Sequence, residues 1–176
     1  VMMDLLISGI ANVARRHLFA DCPPVSIMAT GGYGRGELSP SSDIDLLFIL
    51  SQKETAKQTK FIEFILYILW DMSLAIGHAT RTVDENIKAA SEDITIRTAL
   101  LEIRYIAGDE ALASKMQSSW SKWLSQQSVS TFIEAKLDER ERRVNRTGGT
   151  RYAVEPNVKD GKGGLRDLHT LFWVAK

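Results

Sequence analysis

Hydrophobic positions give the two halves of the chain different rhythms. In the first half, Met3, Leu6, Ile10, Val13 and Ala14 recur at helical spacing and predict a helix from Met3 to about Ala20. Pro23-Pro24 prevents that helix from continuing. Val25 to Thr30 is short, apolar and partly β-branched, and predicts a strand. Ile44 to Leu50 is nearly all apolar and bounded by polar turn residues, which predicts a strand buried on both faces. Periodicity alone does not separate such a run from a buried helix. Lys53 to about Ser73 predicts a helix with an exposed, Lys-rich start and an apolar second half that belongs in a core. Ala75 to Thr82 predicts a third, weaker strand.

The second half reads as helices near 84–90, 93–107, 109–126 and 129–146. Ile96, Leu100, Ile103 and Ile106 form one stripe, and Leu112, Met116, Trp120 and Trp123 another. At that spacing the two tryptophans read as core or interface anchors, with Lys115 and Lys122 facing solvent. Asp109 is a plausible N-cap. Asp138 to Arg143 is all charged and reads as a solvated helix face held by ion pairs along the helix. Residues 147–164 predict a glycine-rich loop with a short strand at Tyr152 to Val154, and Leu165 begins another helix. The chain opens within a turn of an amphipathic pattern and stops inside a predicted helix, so it reads as part of a longer protein.

Composition narrows the field. The 176 residues carry 22 Lys and Arg against 22 Asp and Glu, so the net charge is zero. That argues against a nucleic-acid binder working through bulk positive charge. The single cysteine, Cys22, excludes a disulfide framework and a thiol-rich zinc site, and suits a reducing cytoplasm. Phe61 to Trp70, the most apolar stretch, is too short to span a bilayer and contains Glu63. His17 and His169 have no metal-ligand partners at useful spacing. Nine of the 12 glycines fall in two segments, 31–36 and 148–164, and those are the places to look for chemistry.

The first cluster, Gly31-Gly32-Tyr33-Gly34-Arg35-Gly36, leads within a few residues to Asp43-Ile44-Asp45. Alternation at a strand start puts both carboxylates on one face, where like charges repel unless a cation neutralises them. Hard divalent ions favour such oxygen ligands. The preceding glycines allow backbone N–H groups to approach phosphate oxygens, with Arg35 as a charge partner. The bland alternative is a turn and a cap. Neither a P-loop nor a dinucleotide-binding fingerprint is present.

Gly31-Gly32, ten intervening residues and Asp43-Ile44-Asp45 resemble the signature of the nucleotidyltransferase superfamily that includes DNA polymerase beta. The fuller string GGYGRGELSPSSDIDLLFIL resembles one branch, the protein-PII uridylyltransferases of bacterial nitrogen sensing. LWDMSLAIGHATRTVDE (69–85) and TRYAVEPNVKDGKGGLRDLHTLFWVAK (150–176) are similar to the same family. The resemblance implies an α/β (α+β) nucleotidyltransferase fold, a small mixed sheet flanked by helices. It places the core in residues 1–90 and a helical extension in 91–176. It implies that Asp43 and Asp45 are catalytic and hold Mg²⁺ on the triphosphate of UTP, with Gly31, Gly32 and Ser42 at the nucleotide. The implied reaction is attack by a tyrosine hydroxyl of the regulatory protein PII on the α-phosphorus, releasing pyrophosphate. UTP and PII are the implied partners, with no nucleic acid or membrane. The domains for hydrolytic UMP removal and glutamine sensing would follow elsewhere in a longer chain.

The family pattern also leads one to expect a third acid on a neighbouring strand. Ala75 to Thr82 contains none: Ala79 stands about where a related adenylyltransferase branch places it, and His78 and Arg81 are what the strand offers. Asp71, Asp84 and Glu102 remain open as the base, His78 could accept a proton, and Arg81 is a candidate phosphate contact. In the second glycine cluster Lys159, Lys162 and Arg166 precede a predicted helix, a composition suited to an anion. Lys159 and Arg166 are the expected phosphate contacts; the alternative is a charged linker. Two rival functions stay open, a same-fold transferase using ATP or another target, and a non-catalytic nucleotide-binding module.

Overall fold

The computed structural model describes residues 2–38, 42–146 and 157–176, which form two compact units, Val1–Ser125 and Gln126–Lys176. In the first unit α1 (Met2–His17) precedes β1 (Val25–Ala29), a short helix α2 (Gly31–Arg35) and β2 (Ile44–Leu50). Then come α3 (Ala56–Asp71), β3 (Ile76–Thr82), α4 (Val83–Glu92), α5 (Ile94–Leu100), β4 (Arg104–Gly108) and α6 (Glu110–Leu124). The sheet is mixed, in the order β3-β2-β1-β4. β1 runs antiparallel to β2 and β4, while β2 and β3 are parallel and joined through α3.

The mostly apolar strands are explained by helices on both faces. Ile27, Ala29, Leu46, Phe48 and Leu50 share one core with Ile7, Ala11 and Ala14 of α1 and Phe61, Ile62, Ile65 and Leu69 of α3. The alternate residues Met28, Leu47 and Ile49 are also at most 3 % exposed, on the face where α6 packs against β1 and β2. Each such side chain contributes about 1.5–3 kcal/mol on burial. Helix starts are set by caps: Thr55 and Gln58 form a capping box at α3, and Thr82 and Glu85 another at α4. Asp109 accepts from the Leu112 amide and caps α6, as its position predicts.

Two expectations are corrected. The segment 93–107 is not one helix: α5 ends at Leu100, and β4 then pairs with β1, turning that strand from an edge into an interior one. A helical stripe through Ile103 and Ile106 was therefore coincidental, because satisfying the backbone groups of β1 outweighs local periodicity. Residues 91–125, expected in a helical extension, instead complete the first unit, since β4 and α6 are part of its sheet and its cover. The strand expected at Tyr152 to Val154 lies outside the described residues.

The second unit contains α7 (Val129–Arg146) and α8 (Leu165–Ala175). Asp167 joins them by accepting from Arg140 and Arg143 at 2.8–3.0 Å, which holds its carboxyl below the ordinary carboxylate range. Lys136 lies over the Trp173 ring at 4.5 Å. Among the described helices none is long and apolar enough to cross a membrane.

Candidate active site

The paired aspartates lie at the N-terminal end of β2. Asp43 is exposed just before the strand and Asp45, its second residue, is half-buried. Alternation places Asp45 on the sheet face opposite the core shared with α1 and α3. Its backbone carbonyl accepts from the Thr30 amide at 3.1 Å, so the chain leaves β1 and turns into α2 directly beside this carboxylate. On the other side Asp45 is in register with Gly77 of β3.

Two glycines clasp the Asp45 carboxylate. A Cβ at Gly31 would stand 2.9 Å from Oδ2, and one at Gly77 would stand 2.7 Å from Oδ1. Gly31 also has φ +57°, a conformation that side chains rarely adopt. No hydrogen-bond donor among the described residues reaches this carboxylate. Burial first, and then the charge of Asp43, push its carboxyl above the ordinary range. A half-buried carboxylate without a donor, beside a second carboxylate, is the donor set of a hard divalent cation. The two aspartates fit such an ion as two of its ligands. Among the described residues no cluster of three or more metal-ligating side chains forms.

A second polar cluster braces α2. Arg104 of β4 grips the Asp4 carboxylate with two nitrogens at 3.0 and 3.2 Å, and also donates to the carbonyls of Tyr33 and Gly34 at 3.2 Å. The Tyr33 hydroxyl donates to Asp4 at 2.7 Å, and the guanidinium lies over the Tyr33 ring at 5.4 Å. Thus α1 and β4, 100 residues apart in sequence, hold the glycine-rich turn between them. Nothing in the local sequence signals this pairing.

The other predicted residues fall into place around these clusters. Gly31 and Gly32 open α2, and Ser42 is exposed beside Asp43. Arg35 is first of all a brace: it donates to Glu37 at 2.9 Å and to the buried Glu102. Its charge, expected on phosphate, is shared between two glutamates, although its Nη2 still lies 3.6 Å from the Cβ position of Gly32. Glu102 is thereby committed to Arg35 and is not a third acid beside Asp45. Arg81 shares the Asp45 face of the sheet but lies four residues beyond Gly77, about 13 Å along the strand, beside Glu85. His78 points to the opposite face, with its ring 6.1 Å from that of Trp70. Asp84 follows the far end of β3, and Asp71 ends α3 on the opposite layer. None of these candidate bases joins the paired aspartates. The residue that sequence reasoning missed is Gly77; its place opposite Asp45 follows from the pairing of β3 with β2, which no local signal in the sequence shows.

Lys159 and Arg166 belong to the second unit. Lys159 is exposed, and Arg166 lies 3.5 Å from Asp160. The Asn157 side chain accepts from the amides of Lys159 and Asp160, and Gly163, at φ +79°, completes the turn into α8. That local bonding accounts for much of the glycine content of 157–164.

Comparison with known proteins bears on the family. The nucleotidyltransferase domain family matches residues 13–101, and the GlnD PII-uridylyltransferase family matches residues 131–176. The chain is 53 % identical, over 99 % of its length, to the bifunctional uridylyltransferase/uridylyl-removing enzyme of Rhodopseudomonas palustris. It is 54 % identical over 100 % of its length to that of Bradyrhizobium sp. (strain ORS 278), and 46 % over 99 % to that of Rhodospirillum rubrum. It spans 19 % of each of these relatives.

Proposed function

The chain belongs to the nucleotidyltransferase domain family, and from that premise we propose that it carries the UMP-transfer site of a PII uridylyltransferase. In this reading a tyrosine oxygen of PII forms a bond to the α-phosphorus of UTP. The bond from that phosphorus to the departing pyrophosphate breaks, and the phenolic proton leaves to solvent. The observation that carries the reading is Asp45, half-buried, clasped by Gly31 and Gly77, and without a donor among the described residues.

Asp43 and Asp45 would hold a divalent cation, Mg²⁺ in this reading, which when bound neutralises the triphosphate and stabilises the leaving pyrophosphate. The amides of Gly31 and Gly32 fall in the first turn of α2, where no intrahelical acceptor exists, and the absence of side chains lets phosphate oxygens come close. Ser42 lies beside the same carboxylates. Arg35 keeps α2 in place through Glu37 and Glu102. The partners are UTP and PII rather than nucleic acid or membrane, and the location is cytoplasmic.

One observation favours a second reading. β3 brings no acid to Asp43 and Asp45, which is what a nucleotide-binding module without catalysis would show. The test is incubation of the intact protein with PII, Mg²⁺ and labelled UTP or ATP. Label on a PII tyrosine from UTP alone is expected, falling roughly 10³-fold or more in Asp43→Asn, several kcal/mol of barrier. Transfer from ATP instead would point to another member of the fold. Nucleotide binding without transfer would leave the non-catalytic module.

A further inference from the structure

Among the described residues the sheet ends in two edges of different character. β4 has five residues, a register irregularity opposite Ile27 and Met28, and α1 packed against it. β3 has seven residues, is in unbroken parallel register with β2, and contains neither Pro nor Lys. Edges are commonly blunted by such residues or by bulges, and this one carries no such device before Arg81.

The hydrogen-bond phase of β3 is fixed by its first link. The Ile44 amide donates to the Ala75 carbonyl at 2.8 Å, with Ile44 in register with Ile76. In a parallel ladder the peptide groups of Gly77 and Ala79 then face β2, and those of His78 and Thr80 face outward. Among the described residues nothing is bonded to these outward groups, so a further strand would find a donor and an acceptor at each of the two.

That edge adjoins the paired aspartates. The Oδ1 atom of Asp45 stands 2.7 Å from where a Gly77 Cβ would be, so the carboxylate already reaches over β3. An added strand would run about 4.8 Å farther out. No side chain at Gly77 separates the two, and bare backbone at a glycine is where a cross-strand aromatic ring lies down. On the other face, the His78 ring is 6.1 Å from that of Trp70, which is 5.7 Å from that of Tyr67. Trp70 and Tyr67 are 42 % and 59 % exposed, an aromatic row for the alternate side chains of the same strand.

We infer that the outer edge of β3 is the acceptor-docking strand: an extended segment of the acceptor protein pairs with His78 and Thr80, laying its tyrosine across Gly77 toward Asp45. The inference rests on the UMP-transfer reading. A tyrosine within a protein reaches these carboxylates only if its own backbone comes close, and an extended segment does so with the least bulk. Main-chain pairing supplies affinity, and the alternating pockets supply selectivity.

Amide hydrogen exchange in the intact protein tests this with PII whose acceptor tyrosine is replaced by Phe. Saturating PII is expected to slow exchange at His78 and Thr80 at least tenfold, leaving Gly77 and Ala79 unchanged. In parallel, Thr80→Pro removes an outward donor without touching the ladder to β2. It is expected to raise KM for PII at least tenfold with KM for UTP unchanged. Unaltered exchange at both residues, or an unaltered KM for PII in Thr80→Pro, while the wild type still transfers UMP, overturns the docking strand and leaves the transfer reading standing. Absence of UMP transfer by the wild type overturns both. Protection that grows with protein concentration without PII assigns the edge to a second copy, and also overturns the inference.

Discussion

Two groups of charged side chains touch the same short helix and obey opposite rules. Behind α2, Asp4 is saturated: Arg104 and Tyr33 both donate to it, and although burial pulls the other way, its carboxyl is held below the ordinary range. In front, Asp45 is offered no donor by the described residues, and burial and Asp43 raise its carboxyl. A carboxylate with its hydrogen bonds made is a strut. One kept without them is held in readiness for a ligand that brings positive charge. The fold spends Asp4 and Arg104 on fixing the glycine turn so that Asp45 can remain unsatisfied beside it.

The sharpest way to break this contrast is at Gly77. In Gly77→Ala the new Cβ would lie 2.7 Å from Oδ1, and the carboxylate has to swing away from the position it shares with Asp43. Misplacing a reacting group by a fraction of an ångström to an ångström costs up to about 10²-fold in rate. UMP transfer should therefore fall by that order, while the melting temperature moves little, since β3 is an edge strand. Wild-type transfer rates in Gly77→Ala would show that the clasp does not position Asp45.

The front of the site was far more legible in the sequence than its back. β1, β2 and β3 announce themselves as apolar or β-branched runs between turn residues, and Asp43 and Asp45 sit at a strand start where alternation is informative. β4 was not legible, because Ile103 and Ile106 fit a helical period, and its pairing with β1 is a tertiary fact. The Tyr105-Ile106 pair before Gly108, which has φ +94°, was the local hint of a strand. Arg35 has the charge for phosphate, and only the arrival of Glu102 through the fold shows where that charge goes. Asp4 and Arg104 each look like ordinary surface residues in the chain, and no spacing rule joins positions so distant.

A smaller effect is expected from the strut. Asp4→Ala leaves Arg104 and the Tyr33 hydroxyl without that acceptor, in a place where Tyr33 is 1 % exposed. Unfolding should become easier by about 1–3 kcal/mol, the cost of stranding such groups. Measured well below the melting temperature, transfer per folded molecule should change only a few-fold. A variant that kept its stability but lost transfer would move Asp4 from bracing to chemistry, and would erase the distinction between the two clusters.

The smallest effect is the most specific, because its sign differs between the clusters. Asp4 has a lowered carboxyl in the folded state, so its stabilisation is complete above the unfolded value, about 3.9, and is lost as pH falls through the folded one. Asp45 has a raised one, so its charged form is penalised by folding. That penalty is absent in strong acid, grows as pH climbs past the unfolded value, and is complete above the folded value. In metal-free buffer at pH 7, Asp45→Asn should therefore melt above the wild type, by about 1 kcal/mol or less, and Asp4→Asn below it. The Asp45 difference should shrink first, as pH falls through its raised folded value toward about 3.9, and the Asp4 difference only below about 3.9. Adding UTP with Mg²⁺ should reverse the order of Asp45→Asn and wild type, since a ligand that binds only the folded state stabilises the protein able to hold it. If Asp45→Asn melts lower than the wild type in metal-free buffer at neutral pH, Asp45 is a structural carboxylate like Asp4, and the contrast fails at the residue on which it depends.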